Sequence, residues 1–276
     1  EGSYAFIIPP KDNCTLTLHL TIGEETTSHP ITHSFKSGYK YECNVKEPGI
    51  YNAEDLIEFS KVINGESSKR KWSDFGYIND KDTIYRLMND IDMNDIGCPS
   101  FIPIGNYYKR PFSAIFEGNN HTISGLNIIP SDGTLGLFGR ITPTGIVKEV
   151  HLYNCSTLTT NNDEIGKGIG LLAGLCYGTI LNSSTTKRKI SITETSPTGG
   201  LIGDARSGCK IINCYVKESN ISSQGYTGGI AGSVNNGNII NCFSSLNTIT
   251  CTSAKCGGFI GYATQSNIIN CYKYNI

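Results

Sequence analysis

The 276-residue sequence lacks an excess of charge of either sign, and it lacks long apolar runs. Lysine and arginine together number 23, against 24 acidic residues. A near-neutral chain offers no electrostatic footprint for nucleic acid or for an anionic membrane surface, so we expect neither as a partner. No apolar stretch approaches the roughly 18 to 20 residues that a membrane-spanning helix needs, so we expect no membrane-spanning segment.

The sequence also lacks the common signatures of catalytic and metal sites. It contains no Cys-x-x-Cys zinc spacing, no Gly-x-Ser-x-Gly elbow and no phosphate-binding P-loop. Asp90, Asp92 and Asn94 alternate as calcium ligands do, but an EF-hand then requires Gly and Glu where this chain has Asp95 and Phe101. We therefore interpret this segment as a strand with capping carboxylates, and we predict no metal and no cofactor.

Glycine and β-branched residues are abundant instead, and they recur with a fixed period. The chain has 31 glycines and 36 isoleucines, a composition typical of strands and turns. A glycine that closes an apolar pair recurs in steps of 35, 29, 29 and 29 residues, at Gly139, Gly174, Gly203, Gly232 and Gly261. An asparagine recurs in steps of 28, 31, 28 and 29 residues, at Asn154, Asn182, Asn213, Asn241 and Asn270. The two landmarks share one period of about 29 residues.

This period predicts an all-β fold, a right-handed parallel β-helix with coils of about 29 residues. A helical repeat would carry apolar residues at i, i+3, i+4 and i+7, and its paired glycines would cost about 1 kcal/mol each. Three short strands per coil fit the pattern better, with Gly and Asn in left-handed turns. We expect the closing glycine to bend the chain out of a strand. Like residues of successive coils then lie about 4.8 Å apart in columns.

The sequence predicts which residues form these columns. The apolar columns are Leu137, Leu172, Leu201, Ile230 and Phe259; Phe138, Ala173, Ile202, Ala231 and Ile260; Ile212, Ile240 and Ile269; and, more loosely, Ile192, Ile221 and Ile249. A cysteine column comprises Cys214, Cys242 and Cys271, with Cys155 in the corresponding place of an earlier coil. Because adjacent Cβ atoms in a column lie farther apart than a disulfide accepts, we expect free, buried thiols there.

Two cysteine pairs lie off this column and are better candidates for disulfides. They are Cys14 with Cys43, and Cys251 with Cys256.

An amphipathic helix is predicted at about 53–64, within the segment PGIYNAEDLIEFSKVIN. Asn52 can cap it, and Leu56, Phe59 and Ile63 share one face. Because a solenoid must cover its open end, we interpret this helix as the N-terminal cap of the stack. Residues 48–276 are therefore assigned to one β-helix domain with its cap.

The segments PGIYNAEDLIEFSKVIN, LMNDIDM, FIPIG, FEGNNHTISGLNI and GLFGRI, followed by the Gly-Gly coils, carry a family resemblance. In this order they resemble bacterial surface proteins with GLUG motifs, which are common among adhesin-like proteins of Bacteroidales. The similarity covers about residues 48–276. It implies a parallel β-helix at the extracellular or outer-membrane surface that acts as a non-enzymatic adhesin or stalk. Glycans or host proteins are the partners it implies.

Residues 1–47 predict the strands of a different domain. CTLTLHLTI alternates as a half-buried strand does, and the segment ending SFKSGYKYECNV resembles the last strands of a fimbrillin-like β-sandwich. A segment of this length is too short to form a whole sandwich, and we therefore expect an incomplete domain. His29 and His33 fall in TTSHPITHS, which we interpret as an exposed loop rather than a metal site.

A carbohydrate-active enzyme, a polysaccharide lyase or hydrolase, is the alternative function. Such chemistry needs two convergent carboxylates, or a basic residue with carboxylate support. Asp204 and Arg206 follow one closing glycine and suit either an active-site pair or a solvated turn. We predict no catalytic residue.

Aromatic side chains are the usual platforms for sugars and proteins, and three tyrosines are our candidate ligand contacts. Tyr177, Tyr226 and Tyr262 are predicted at turns that flank the strands. The last coil carries no capping helix, so we expect a partner, a second copy or further sequence to cover it.

Overall fold

The computed structural model describes residues 2–6, 11–22, 25–36, 41–106, 109–129, 133–157, 168–192, 195–252 and 255–274. The chain divides into two compact units, Glu1–Glu47 and Pro48–Ile276. The strands of the first unit are β1 (Gly2–Phe6), β2 (Lys11–Ile22), β3 (Glu25–Phe35) and β4 (Tyr41–Val45). β1 pairs with β4, and β2 pairs with β3, both antiparallel.

The first unit corrects one prediction. His29 and His33 lie within strand β3, where their backbones pair with β2, so the prediction of a loop is wrong. The alternation of β-branched and polar residues continues through this segment and favours a strand over a turn. The predicted pair of Cys14 and Cys43 involves side chains outside the described part of the chain.

The second unit begins with a helix and irregular strands. The helix α1 spans Ala53–Asn64, and two 3₁₀ helices span Trp72–Asp74 and Met93–Ile96. The strands are β5 (Gly76–Asn79), β6 (Asp82–Arg86), β7 (Ile91–Asp92), β8 (Ser100–Phe101), β9 (Ile115–Glu117), β10 (Thr122–Ser124) and β11 (Asn127–Ile128).

Regular coils follow, and each repeats the same succession of strands. The first contains β12 (Thr134–Leu135), β13 (Phe138–Ile141), β14 (Ile146–Lys148), β15 (His151–Tyr153) and β16 (Ser156–Thr157). The second contains β17 (Gly168–Gly170), β18 (Ala173–Cys176), β19 (Thr179–Leu181) and β20 (Ser184–Ser191). The third contains β21 (Thr198–Gly199), β22 (Ile202–Ala205), β23 (Lys210–Ile212) and β24 (Tyr215–Ser223).

The last two coils keep this succession. One contains β25 (Thr227–Gly228), β26 (Ala231–Asn235), β27 (Asn238–Ile240), β28 (Phe243–Ser245) and β29 (Thr248–Cys251). The other contains β30 (Cys256–Gly257), β31 (Ile260–Thr264), β32 (Asn267–Ile269) and β33 (Tyr272–Tyr274).

Corresponding strands of successive coils pair in parallel and form four sheets along the solenoid; β5 extends one of these sheets by pairing antiparallel with β6. We call them the cover sheet (β12, β17, β21, β25, β30), the glycine sheet (β13, β18, β22, β26, β31), the isoleucine sheet (β5, β6, β9, β14, β19, β23, β27, β32) and the groove sheet (β7, β8, β10, β11, β15, β16, β20, β24, β28, β29, β33). The predicted parallel β-helix is thus confirmed. Each coil has four strand positions rather than the predicted three. The apolar segment that we expected to form one strand contains two, one in the cover sheet and one in the glycine sheet.

The apolar columns form as predicted at most positions. The Leu201 amide donates to the Ile230 carbonyl over 2.9 Å, and the Ile230 amide donates to the Phe259 carbonyl over 2.8 Å. Leu201 and Ile230 are completely buried. Like side chains therefore pack on one another through successive coils, and this continuous apolar stack is the core of the unit.

The register differs from the prediction in the first regular coil. Asn154 lies beside Lys187 of the next coil, whereas Asn182 lies beside Glu149. Glu149 adopts the left-handed conformation, with φ 58°, at the place where later coils have asparagine. Cys155 moves with Asn154 and lies outside the cysteine column. Because a glutamate fills the asparagine position, the sequence spacing pointed to the wrong residue.

The loosest column also needs a correction. Ile221 pairs with Ile249 as predicted, but its partner in the preceding coil is Ile190 rather than Ile192. The ladder between β20 and β24 runs without a shift, so the pairing is fixed by the rest of the strand and not by this residue.

Asparagines in left-handed turns confirm the expected role of that residue in the later coils. The φ angles of Asn182, Asn213, Asn241 and Asn270 are 48°, 55°, 54° and 52°. Their exposed amides form a ladder: each Nδ2 donates to the Oδ1 of the preceding coil over 3.1, 3.2 and 3.2 Å. The position thus combines a strained backbone angle with a stack of hydrogen bonds.

The closing glycine does not bend the chain, contrary to the prediction. Gly203 lies inside strand β22, and its φ is not left-handed. A Cβ added to Gly203 would lie 2.5 Å from the carbonyl carbon of Gly168 and would overlap the amide nitrogen of Ile169. Glycine is required because the cover sheet lies directly on the backbone of the glycine sheet, leaving no room for a side chain.

The helix α1 caps the stack as predicted. The Asn52 side chain accepts a hydrogen bond from the Asp55 amide over 2.9 Å, and Gly65 ends the helix with φ 72°. Leu56 and Phe59 are completely buried, and Ile63 packs against the same core. Within the described ranges, no helix combines the length and the hydrophobicity that crossing a bilayer requires.

Most cysteines are free thiols, as expected for the column, and one predicted disulfide forms. Cys251 and Cys256 are bonded. The Cys214 amide lies 3.3 Å from Sγ of Cys242, and the Cys242 amide lies 3.5 Å from Sγ of Cys271. Free and buried thiols belong to Cys155, Cys176, Cys209, Cys214 and Cys242.

Candidate functional site

The groove sheet bends at the same place in successive coils. Gly125, Asn154, Lys187 and Glu218 occupy this place, with φ angles of 67°, 48°, 49° and 53°. The pairing of the strands on either side puts Asn154 beside Lys187, and Lys187 beside Glu218. A left-handed residue in each coil changes the direction of its strand, so the stacked bends form a continuous groove along the sheet.

The groove is lined mainly by polar side chains. It has a volume of about 660 Å³. Beyond the bend residues, its walls include Asn127, Ser156, Lys189 and Asn220. Asn154 and Ser156 lie at the break between β15 and β16, Lys187 and Lys189 lie in β20, and Glu218 and Asn220 lie in β24; all six line the groove. Amides, a hydroxyl and ammonium groups therefore share one surface.

Among the described residues that line the groove, positive charge exceeds negative charge. Glu218 is its acidic lining residue, and Oε1 of Glu218 lies 3.0 Å from Nζ of Lys217. This hydrogen bond raises the pKa of the Lys217 ammonium. Lys189 is flanked in the ladder by Ser156 and Asn220, neither of which carries charge. The ammonium groups of Lys187 and Lys189 thus outnumber the carboxylate, whose charge Lys217 offsets.

An exposed tyrosine stands at the edge of this groove. Tyr153 precedes Asn154, is 41% exposed, and has Nζ of Lys187 5.7 Å from its ring centroid. Its neighbours in the preceding and following coils are Ser124 and Thr186. Because both neighbours are small, neither stacks on the ring, and the Lys187 ammonium lies over it.

The three tyrosines predicted as ligand contacts do not line the groove. Tyr226 and Tyr262 stack with ring centroids 4.9 Å apart, and Nζ of Lys255 lies 4.7 Å from the Tyr262 centroid. Tyr177 packs against the Arg140 guanidinium at 5.1 Å. Each of these rings therefore already makes a face contact within the protein.

Their placement is partly as predicted. Tyr177 and Tyr226 lie outside strands, as expected, but Tyr262 lies inside β31, because its column pairs it with Ser233 of β26.

Three aromatic side chains of the groove sheet also stack on one another. Tyr215, Phe243 and Tyr272 lie one above another with centroid separations of 4.9 and 5.4 Å and interplanar angles of 3° and 9°. Phe243 therefore has both ring faces covered, and the column stabilises adjacent coils.

Asp204 and Arg206 form an ion pair, but Asp204 is not in a solvated turn. Nε of Arg206 lies 2.6 Å from Oδ2 of Asp204, which is 3% exposed inside β22. Burial raises the pKa of Asp204, and the Arg206 interaction opposes this change. The neighbours of Asp204 in adjacent coils are Leu175 and Ser233, so no second carboxylate stands beside it in the described ladder.

The acidic segment before the regular coils acts as predicted, with capping carboxylates. Asp90 accepts a hydrogen bond from the Thr122 amide over 2.8 Å, which lowers the pKa of its carboxyl group. Asp92 accepts from the Asn94 amide over 3.0 Å at the start of a 3₁₀ helix. Within the part of the chain that the structure describes, no three His, Cys, Asp or Glu residues cluster as metal ligands would.

Comparison with known proteins gives a distant match to part of the chain. The chain is 34% identical to halomucin over 172 residues. Halomucin comes from Haloquadratum walsbyi (strain DSM 16790 / HBSQ001), and the match covers 59% of this chain and 2% of halomucin. No family model matches the sequence. The chain therefore spans a small fraction of this relative, and the match does not assign it to a family.

The groove itself was not predicted. Its residues come from segments that the repeat alignment placed in different columns, because Asn154 was aligned with Asn182. When Asn154 is aligned with Lys187, the sequence shows polar residues two positions apart in three successive coils.

Proposed function

We propose that the chain is a non-enzymatic adhesin or stalk of the cell surface, which binds host or glycan ligands or presents another domain. The observation that carries this proposal is the polar groove, whose walls offer amides, a hydroxyl and ammonium groups. Sugars present many hydroxyl groups, and side chains of this kind bond to them without performing chemistry on them.

The acidic groups support binding over hydrolysis. Glycoside hydrolysis uses two carboxyl groups on either side of the scissile bond. The described walls of the groove contribute Glu218, and Lys217 already bonds to its carboxylate. Asp204, the buried carboxylate that the sequence singled out, pairs with Arg206 and does not line the groove. A carbohydrate-active enzyme is the competing outcome of the test below.

An extracellular location, at the outer-membrane surface in particular, belongs to the same proposal. The disulfide between Cys251 and Cys256 supports an oxidising compartment. The resemblance of residues 48–276 to surface proteins with GLUG motifs points the same way. The free thiols of the core are compatible with this compartment because burial keeps most of them from oxidants.

The test measures binding and turnover on the same protein preparation. The whole chain is screened against immobilised glycans and host matrix proteins, and the polysaccharides are then assayed for new reducing ends and for unsaturated lyase products. We expect saturable binding to at least one ligand and no product. Product formation without saturable binding would favour the enzyme. A Glu218→Gln variant sharpens the assay, because it would abolish carboxylate-dependent turnover while leaving an adhesin's hydrogen bonds largely in place.

A further inference from the structure

We infer that the groove binds an anionic polysaccharide, with Lys187 and Lys189 contacting its acidic groups and Tyr153 stacking on a sugar ring. This inference rests on the proposed function and names the ligand class of the same site. The shared chemistry is a sugar polymer that carries carboxylate or sulfate groups.

The charge balance of the groove supports an anionic ligand. Lys187 and Lys189 lie two residues apart on one strand, both exposed, and both line the groove. The carboxylate next to Lys187, that of Glu218, is bonded to Lys217. Two ammonium groups on one wall, with their neighbouring acid already paired, attract a polymer with regularly spaced negative charges.

The remaining groups distinguish a sugar polymer from other polyanions. Asn154, Ser156 and Asn220 flank the lysines in adjacent coils and offer donors and acceptors for hydroxyl groups. Tyr153 adds an aromatic ring at the edge, 41% exposed and flanked by small residues. An aromatic face packs well against the apolar face of a sugar ring. The described walls of the groove supply two ammonium groups, fewer than the clusters of lysine and arginine that proteins use to bind a nucleic-acid backbone.

Parallel stacking suits a polymer better than a single small sugar. The backbone bend repeats in successive coils at intervals of about 4.8 Å, so the groove runs along the sheet across several coils. Such a surface can contact several units of one chain at once, which raises the effective concentration of each further contact.

The experiment compares polygalacturonate with its methyl-esterified form, which has the same backbone without the charges. Binding of the whole chain is measured by calorimetry at low and at high salt, and a sulfated polysaccharide and duplex DNA serve as further anionic probes. We expect binding to polygalacturonate or to the sulfated polymer, weakened by salt, and weak binding to the ester. Which of the two anionic polymers binds more tightly identifies the acidic group.

Variants locate the site. A Lys187→Gln and Lys189→Gln double variant is expected to bind about ten-fold or more weakly, and Tyr153→Ala about five-fold more weakly. Lys210→Gln is the matched control, because Lys210 is an exposed strand lysine on the isoleucine sheet. It is expected to leave binding unchanged. Thermal unfolding of each variant verifies that the fold is intact.

Several results would overturn the inference. These are equal binding of the ester, a double variant that binds as the native protein does, a Lys210→Gln variant with the same loss, or a preference for DNA. If the double variant keeps native affinity for a neutral glycan or a matrix protein, the inference fails and the proposed function stands. If the protein binds none of the glycan and matrix probes, ligand binding itself is refuted.

Discussion

Replacing Gly203 with alanine tests whether the cover sheet lies directly on the glycine sheet. The added Cβ would lie 2.5 Å from the carbonyl carbon of Gly168 and 2.7 Å from its Cα, and it would overlap the amide nitrogen of Ile169. All of these are backbone atoms, so no side chain can rotate to make room. One sheet has to move away from the other.

The expected cost follows from two opposing effects. Overpacking of a filled interior costs about 1–3 kcal/mol, and an unyielding backbone contact belongs near the upper end of this range. Alanine also stabilises by about 0.4–1 kcal/mol, because it restricts the unfolded chain. The net loss in the free energy of unfolding is therefore about 2 kcal/mol. For a unit of this size, that loss lowers the thermal midpoint by about 4–8 °C.

The control is Gly237→Ala, whose Cβ would lie 3.1 Å from Cγ1 of Val234 and 3.5 Å from the Cys209 carbonyl oxygen. The first of these neighbours is a side chain that can shift, so we expect a change within about 1 kcal/mol. Thermal unfolding followed by circular dichroism measures both variants. Equal midpoints for the two would refute the close packing of the sheets as the reason for the repeated glycine.

Three further predictions concern single side chains. Burial raises the pKa of Asp204 above its ordinary value of 3.8, so its contribution to stability is present at low pH and is lost as pH rises through the folded pKa. Asp204→Asn should therefore gain stability relative to the native protein as the pH rises above about 3.8, and urea midpoints that stay parallel would contradict this. Asn213→Ala should cost about 1–2 kcal/mol because φ is 55°, whereas Asn213→Gly should cost less; equal unfolding midpoints would argue against left-handed strain. A hydrogen bond with Cys176, together with burial, raises the pKa of the Cys209 thiol well above its ordinary value. Iodoacetamide should therefore label the part-exposed Cys98 and spare Cys209 in the folded protein. Peptide mass mapping measures both, and equal labelling would contradict the prediction.

Much of the fold could be predicted from the sequence because stacking repeats the same physical requirement in every coil. The column of Leu201, Ile230 and Phe259 recurs at a constant step, since each residue fills the same place in the core. The cap at Asn52 was equally predictable, because capping depends on residues close in sequence. The architecture could thus be predicted from residues close in sequence and from the period of the repeat.

Register and close contacts could not be predicted in the same way. Gly203 is required because a strand of the preceding coil lies against its backbone. The sequence alone does not distinguish such a glycine from one that forms a turn. Glu149 occupies a left-handed position that other coils give to asparagine, so the spacing of asparagines misaligned one coil. The groove was missed for this reason, since it depends on which polar residues of successive coils are neighbours.

The most direct test of the account is the distance between Asn154 and Lys187. Spin labels on unnatural amino acids at these two positions avoid the native thiols. In the stacked register the two backbones lie about 4.8 Å apart, whereas Asn154 and Asn182 are separated by about five residues of strand, or roughly 15 Å. We predict strong spin exchange for the Asn154 and Lys187 pair and weak broadening for the Asn154 and Asn182 pair. The opposite order would contradict the register, and the groove would not exist as described.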